Sequence, residues 1–458
     1  MSFFQLRTLP GYAWPPLADA SISQVWVAYL ELERTQRLSP DEIERRQLEQ
    51  ARTLLAHCIT EVPYYRTVLP AAGIVPGAIR SMDDFRRIPL LPRRTYQEKT
   101  AQFIAVRLPP GTVATQITQT SGSSGSPTQV HTTNMTQLWW YAHYLRDLQW
   151  GNIDPTGTLA AIRYSGKTGR ERDAMLHGAM LPYWSAPLEP LLVTGPSHGI
   201  DIAQDPRIQL QWLRRVAPDY LLSLPANLEA LALLAKNDGP IPSLRAIQSI
   251  ASTLTPEAQT LIEAVFGVPV KNLYSCFEAG YLASPCPDGH GLHVHAENVL
   301  LEVLDPQGRP CQPGESGRVC ITHLHNLRGP FVRYELGDEA TLGAACPCGR
   351  GLPLLAKVQG KVYPMFHLPK GRLKSCAPLA NALRLVGGHW QHQVVQKAAE
   401  HVVLRLAVDP TWSDAHADKM KQTLHDFFEA PIRVDLEIYD RLVAPASGKF
   451  QSMISEMG

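Results

Sequence analysis

From about residue 158 onward, short apolar runs alternate with helical stretches, and that alternation leaves few architectures open. Residues 159–162, 191–194, 220–223, 246–250 and 268–274 read as buried strands, with helices such as 208–216 and 227–236 between them. Strand and helix in strict turn imply an α/β fold, with a largely parallel sheet covered by helices. Beyond Leu292 the reading shifts to β structure, with strands at 299–305 and 318–323 joined by turn-rich Pro/Gly segments. The domain boundary falls near Gln359-Gly360-Lys361. After it come a strand (402–408), a helix (413–428) and a strand (432–438), a small α+β unit. The expected division is therefore a large domain over residues 1–359 and a small one over 360–458.

Ahead of this pattern, residues 24–60 look helical. Ser39 is placed as N-cap, Pro40 at the first helical position and Glu42 at the third, the layout of a capping box. Leu48, Ala51, Leu55 and Cys58 then recur at helical spacing, so Cys58 is expected in the core.

Charge excludes one class of function. Lys and Arg number 43 against 42 Asp and Glu, and a nucleic-acid protein needs clustered basic surface. No apolar run approaches the roughly 20 residues that span a bilayer. The N-terminus lacks the layout of a signal peptide, which points to the cytoplasm. Eight cysteines in a chain of 458 residues do not make a disulfide framework.

Chemistry concentrates in one loop. Thr120, Ser121, Gly122, Ser123, Ser124, Gly125, Ser126 and Pro127 place five hydroxyls and two glycines in eight residues. Such a loop can wrap N–H groups and hydroxyls around a polyanion, because glycine permits close approach. It has no lysine and is not the G-x-x-x-x-G-K-[ST] loop. A flexible Ser/Gly linker is the competing reading.

The run T-S-G-[ST]-[ST]-G-x-P resembles the phosphate loop of adenylate-forming enzymes, the acyl-CoA synthetase and ligase superfamily. Three further segments resemble that family's motifs in the family's order. Tyr274-Ser275-Cys276-Phe277-Glu278 is similar to Y-G-x-[ST]-E, Arg333-Tyr334-Glu335-Leu336-Gly337-Asp338 to R-Y-x-x-G-D, and Ser447-Gly448-Lys449 to the segment with the catalytic lysine. The phenylacetate–CoA ligase-like branch matches best, since segments such as 286–293 and 346–351 are usual there.

The resemblance implies a large domain with a mobile C-terminal lid, and roles for particular residues. A carboxylate attacking the α-phosphate of ATP meets anion with anion, so the site must cancel repulsion and stabilise the leaving pyrophosphate. Residues Thr120 to Gly125 would cradle phosphates. Tyr274 would stack on adenine, with Ser275 beside it, and Asp338 would accept hydrogen bonds from the ribose. Glu278 would hold Mg²⁺ through hard oxygen ligands. Lys361 would stand at the hinge and Lys449 would reach the α-phosphate from the lid. Phe277 departs from the family, standing where a hydroxyl is usual. Ser275 replaces a glycine, and Lys361 replaces an arginine and loses its planar fork.

Cys346 and Cys348, with Cys286 and His293 some fifty residues earlier, suit a tetrahedral structural zinc. His290 and His295 are rival ligands, and reduced free thiols are the alternative. Cys311, Cys320 and Cys376 receive no role. The aromatic stretch Trp139, Trp140, Tyr141, His143 and Tyr144 follows the phosphate loop; it is either core or the lining of an acid pocket that favours a flat, aromatic acid.

The expected function is an ATP-dependent carboxylic acid ligase that forms an acyl-adenylate, releases pyrophosphate and passes the acyl group to coenzyme A. Two alternatives stand beside it: transfer to an amine, hydroxyl or protein thiol, and a nucleotide-binding protein without turnover.

Overall fold

The computed structural model describes residues 4–12, 14–15, 17–119, 128–164, 169–236, 239–360, 364–440, 442 and 451–457. Three principal sheets organise them. A six-stranded sheet has the order Ala179–Leu181, Ser197–Asp201, Leu159–Arg163, Tyr220–Ser223, Ala246–Ser249, Val270–Asn272. All its pairings are parallel except that of the edge strand Ala179–Leu181. The helices Pro206–Val216, Pro225–Ala235 and Pro256–Phe266 link its strands, each entered through a proline in its first turn, where the missing N–H costs nothing.

A seven-stranded sheet is antiparallel throughout, with the order Val299–Leu304, Ser316–His323, Tyr334–Leu342, Leu354–Gln359, Leu292–Val294, Gly280–Pro285, Tyr274–Cys276. The α/β expectation holds, but only one of the two large sheets is parallel. In the C-terminal part, a four-stranded sheet orders Arg433–Tyr439, His401–Val408, His389–Ala398 and Met453–Ser455, backed by the helix Asp414–Phe428.

Several sequence expectations shift. The run 191–194 is not a strand: Leu191 and Leu192 are buried in a turn, and Leu192 makes an isolated bridge to Leu6. The strand is Ser197–Asp201, whose Ser, His and Asp hide it from a search for apolar runs. The segment 268–274 divides between two sheets, Val270–Asn272 in one and Tyr274–Cys276 in the other. The stretch 24–60 is two helices, Ala20–Thr35 and Pro40–Glu61. Ser39 caps the second by accepting from the Glu42 N–H, but Glu42 turns its carboxylate to Arg45 and Arg46 instead of closing the box. Cys58 is fully buried, as its spacing implied.

The core is divided. One apolar cluster lies under the N-terminal helices and the seven-stranded sheet. Another joins the parallel sheet to the C-terminal part, with Ile162, Leu221 and Leu228 in the same cluster as Phe366, Leu404 and Phe428. Burial of such side chains is worth about 1.5–3 kcal/mol each.

Candidate active site

The turn between strands Tyr274–Cys276 and Gly280–Pro285 carries Glu278, and its register shift between Tyr281 and Ala283 marks an irregular hairpin. Glu278 is 3 % exposed, so it is not a surface glutamate. Its carboxylate Oε1 accepts from the Tyr334 hydroxyl at 3.4 Å and lies 3.5 Å from the Arg93 guanidinium. Its backbone oxygen accepts from His323 Nδ1 at 3.1 Å.

Further along the chain, strand Tyr334–Leu342 brings Asp338 to the same corner. The Tyr274 hydroxyl donates to Asp338 Oδ2 at 3.0 Å, which ties two of the sequence motifs together directly. Tyr274 is itself 7 % exposed and belongs to the core under the seven-stranded sheet. Its ring is therefore packed in the core, and the hydroxyl is the part that reaches the site. Burial, aided by the Asp338 carboxylate, pushes the Tyr274 phenol well up. Ser275, on the same strand, is exposed, and Phe277 is 59 % exposed at the mouth of the turn.

Three residues outside the expected set complete the corner. Thr253 accepts from the Gly360 N–H at 2.7 Å, and a Cβ on Gly360 would lie 3.8 Å from Asp338 Oδ1, so Gly360 borders that carboxylate. Tyr334 is fully buried, and its hydroxyl bridges Glu278 to Thr128, 3.4 Å away. Thr128 is the first described residue after the hydroxyl-rich run. Arg93 arrives from a short N-terminal helix, Arg93–Glu98, held in place by Leu91, which exchanges backbone hydrogen bonds of 2.9 and 3.0 Å with Arg333 and Glu335. Tyr334 stands in plain view inside a recognised motif, whereas nothing local in the sequence singles out Arg93 or Thr253.

Arg333 of the same motif does other work. It makes a buried two-pronged pair with Glu302 at 2.9 and 2.9 Å and donates to the Ile88 carbonyl at 2.6 Å. It does so from φ 47°, a left-handed conformation that a side chain adopts at some cost. Thr120, Ser121, Gly122, Ser123, Ser124 and Gly125, expected to cradle phosphates, Lys361, expected at a hinge, and Lys449, expected on a lid, lie outside the described residues.

At the far end of strand Gly280–Pro285, the second constellation is closed. Ligand atoms of Cys286, His293, Cys346 and Cys348 all lie within 4.8 Å of one another. Cys286 Sγ is 3.8 Å from Cys346 Sγ, and His293 Nε2 is 3.2 Å from Cys348 Sγ. A Zn–S bond of about 2.3 Å gives a tetrahedral edge of about 3.8 Å, so the thiols stand at the spacing the ion would need. His293 Nδ1 meets the Leu352 carbonyl at 3.2 Å, which fixes the ring with Nε2 toward the thiols. His290 is exposed and outside the cluster; His295 is engaged by Ser284 and Arg146. Burial lifts the Cys346 thiol to about 11, while for Cys348 burial is outweighed by hydrogen bonds from Arg350. The cysteine loop is clipped to the N-terminal helices: Arg37 donates to the Cys348 carbonyl at 3.1 Å. A Cβ on Gly351 would come within 1.9 Å of the Leu38 carbonyl, so only glycine fits there.

The aromatic stretch sits on helix Asn134–Trp150 and has two faces. Trp139 stacks on His325 with centroids 4.7 Å apart, and His143 is fully buried beside His295 at 4.4 Å. On the other face Trp140 stacks on Tyr144 at 5.6 Å and meets Tyr281 edge-on, while staying 40 % exposed. One face is core; the other is available to line a pocket.

Residues 179–329 match the family model described as AMP-binding enzyme, a span that includes the Glu278 turn, Cys286 and His293. A phenylacetate-coenzyme A ligase of Thermus thermophilus is 26 % identical over 338 residues, 72 % of each chain. That of Escherichia coli is 24 % identical over 327 residues, 68 % of this chain and 70 % of its own. The chain is therefore similar to AMP-binding enzymes and to phenylacetate-coenzyme A ligases. A solved structure of 2-hydroxyisobutyryl-CoA ligase, in complex with 2-HIB-AMP and CoA, shares the adenylate-forming fold at a TM-score of 0.62 and 19 % identity, over 93 % of this chain and 92 % of that one. Among the described residues no helix is long and apolar enough to cross a membrane.

Proposed function

We propose that the protein is an AMP-forming acid ligase: it joins a carboxylic acid to ATP as an acyl-adenylate with release of pyrophosphate, then transfers the acyl group to coenzyme A. The observation that carries the reading is the meeting of two motif segments at one corner, where Tyr274 donates to Asp338 at 3.0 Å and Tyr334 to Glu278 at 3.4 Å. Segments far apart in the chain converge on one pair of carboxylates, beside the end of the hydroxyl-rich run.

In the first half-reaction a substrate carboxylate oxygen attacks the α-phosphorus and the bond to pyrophosphate breaks. Asp338 accepts from the ribose hydroxyls, with Tyr274 holding its other oxygen and Ser275 at the nucleotide's edge. Thr120, Ser121, Gly122, Ser123, Ser124 and Gly125 donate to phosphate oxygens. Glu278 would hold Mg²⁺, which supplies charge neutralisation when bound; its oxygens suit that hard ion. Lys361, at the start of a C-terminal unit beginning at residue 360, and Lys449, within that unit, bring positive charge. In the second half-reaction the thiolate of coenzyme A attacks the acyl carbon and AMP leaves.

Zinc fits the Cys286, His293, Cys346 and Cys348 cluster, where three sulfurs and one oriented imidazole form a closed shell of structural type. The Trp140–Tyr144–Tyr281 face favours an aromatic acid, in keeping with the phenylacetate named for the relatives. Cysteines without disulfide partners fit the reducing cytoplasm.

The test is acid-dependent exchange of labelled pyrophosphate into ATP over a panel of aryl and fatty acids, without coenzyme A, followed by mass spectrometry of products once coenzyme A is added. Exchange that depends on one acid class and yields its thioester is the expected outcome. No exchange with any acid, in a protein that binds ATP, would favour the non-catalytic alternative suggested by Phe277.

A further inference from the structure

The arginines of this protein meet carboxylates in two ways. Arg333 grips Glu302 through two bonds of 2.9 Å, and Arg146 grips Glu297 at 2.8 and 3.1 Å; the two arginine side chains are 4 % and 0 % exposed. These pairs are closed, and breaking one would strand a buried charge. Arg93 is different. Its NH1 donates to the Leu336 carbonyl at 3.2 Å, and its NH2 stands 3.5 Å from Glu278, a longer contact than either of the other two pairs makes. Its side chain keeps 18 % exposure, beside a Glu278 that keeps 3 %.

The position is held firmly. Leu91, two residues before it, is bracketed by backbone bonds to Arg333 and Glu335, and Tyr96, three residues after it, is fully buried and stacked on Phe331 at 4.5 Å. The guanidinium is therefore delivered to a chosen point. That point lies in a continuous polar chain: Gln97 donates to Thr128 at 3.2 Å, Thr128 is 3.4 Å from Tyr334, and Tyr334 donates to Glu278. Burial opposes the charge on Arg93, yet Tyr334, Glu278 and Asp338 around it more than offset that burial.

We propose that Arg93 is a polyphosphate-binding residue, whose guanidinium engages the β- and γ-phosphates of ATP and, in the reverse direction, pyrophosphate. The proposal rests on the ATP reading of the Glu278–Asp338 corner and extends it to a residue outside all four motifs. A planar guanidinium matches phosphate oxygens with two parallel N–H groups, and one that stands 3.5 Å from its carboxylate can turn to them while keeping that carboxylate as a neighbour. Without nucleotide, Arg93 offsets the negative charge of Glu278. With nucleotide, the phosphates join Glu278 as counter-charge to the Arg93 guanidinium. Because Arg93 belongs to the large domain, it acts on binding whatever the position of Lys449.

The experiment is titration calorimetry of Mg–ATP, Mg–pyrophosphate and AMP on the full-length protein, its Arg93→Met variant and its Arg93→Lys variant, with circular dichroism and melting of each. Arg93→Met is expected to weaken Mg–ATP and Mg–pyrophosphate roughly 10- to 100-fold, the loss of a charged hydrogen-bonding partner, and to leave AMP close to the unsubstituted protein. Arg93→Lys should fall between, since an ammonium keeps charge without the fork. Equal weakening of all three ligands, or of none, would overturn the proposal, because a structural arginine would not distinguish ATP from AMP. If Arg93→Met does not fold, the ATP-to-AMP affinity ratio of Arg93→Lys decides, and an unchanged ratio counts against Arg93. Failure of the unsubstituted protein to bind ATP would overturn the ATP reading itself, and this inference with it.

Discussion

Strand Gly280–Pro285 of the seven-stranded sheet has a polar corner at each end, and the two are built differently. At the Glu278 end, two carboxylates, two tyrosine hydroxyls and a guanidinium from three separate segments meet through contacts of 3.0 to 3.5 Å. At the Cys286 end, four soft ligand atoms lie within 4.8 Å, with the imidazole oriented by a backbone carbonyl. The first corner is joined by looser contacts, up to 3.4 and 3.5 Å at Glu278, as the proposed nucleotide site would be before its ligand arrives. The second is compact, with its four ligand atoms spaced as a small tetrahedral ion would need. A binding site for turnover needs spare capacity; a structural clip needs none.

The contrast can be broken most forcefully at the closed corner. Removing metal with a strong chelator, or replacing Cys348 by serine, should lower zinc content from about one equivalent and lower the melting temperature together, since binding and folding share one free energy. A metal-free protein with unaltered melting would show that the cluster is only four neighbouring side chains. The same treatment should leave ATP affinity of the still-folded fraction unchanged if the two ends act independently.

At the open corner the largest effect is expected from Lys449→Ala, which should slow acyl-adenylate formation by on the order of 10²–10³, as for loss of one stabilising donor at the transition state. ATP should still bind, and a chemically supplied acyl-adenylate should still react with coenzyme A at close to the normal rate. Equal loss in both half-reactions would remove Lys449 from the chemistry. A smaller change is expected from Asp338→Ala. It should raise the KM for ATP by an amount equivalent to roughly 1.5–3 kcal/mol, leaving zinc content untouched. An unchanged KM would mean that the ribose binds elsewhere.

The smallest effect concerns pH and the imidazoles behind the site. Burial, then the neighbouring His325, holds His323 down to about 3, and burial holds His325 at about 4. Below the unfolded value of about 6.5, the unfolded chain takes up protons that these folded rings refuse. Stability should therefore fall as pH drops from about 6.5 toward 4, by at most about 1.4 kcal/mol per pH unit for each ring. Asp147, raised to about 6 by burial, acts in the opposite sense over part of that window, because its folded carboxyl keeps a proton the unfolded one releases. Denaturant melts at pH 7 and pH 5 measure the balance; equal stability at both would mean that the imidazoles are hydrated in solution.

Much of the site is legible in residue types and their order. Tyr274, Glu278 and Asp338 and the four metal-type ligands carry their chemistry locally, and the folded chain brings His293 to the thiols while leaving the exposed His290 outside. Tyr274 is legible as a site residue but not in its manner: its ring suggests stacking, whereas burial leaves its hydroxyl on Asp338 as the contact. The strand Ser197–Asp201 escapes a reading of apolar runs because its serine, histidine and aspartate break the pattern, while Leu191 and Leu192 imitate one from a buried turn.

By itself, the sequence determined the alternation that builds a parallel sheet, an even balance of 43 basic and 42 acidic side chains, and the residue types able to handle phosphate or bind a metal through sulfur and imidazole. Those properties depend on residue type and near neighbours, through periodicity and donor chemistry. Only the tertiary structure decided which distant groups share a corner. Arg93 reaches Glu278 from a remote part of the chain because Leu91 pairs with the Tyr334 strand and Tyr96 stacks on Phe331, contacts that no local pattern encodes. It also decided that Arg333 and Arg146 are locked in buried two-pronged pairs while Arg93 stands beside Glu278, since that depends on what packs around each one and how much water it keeps.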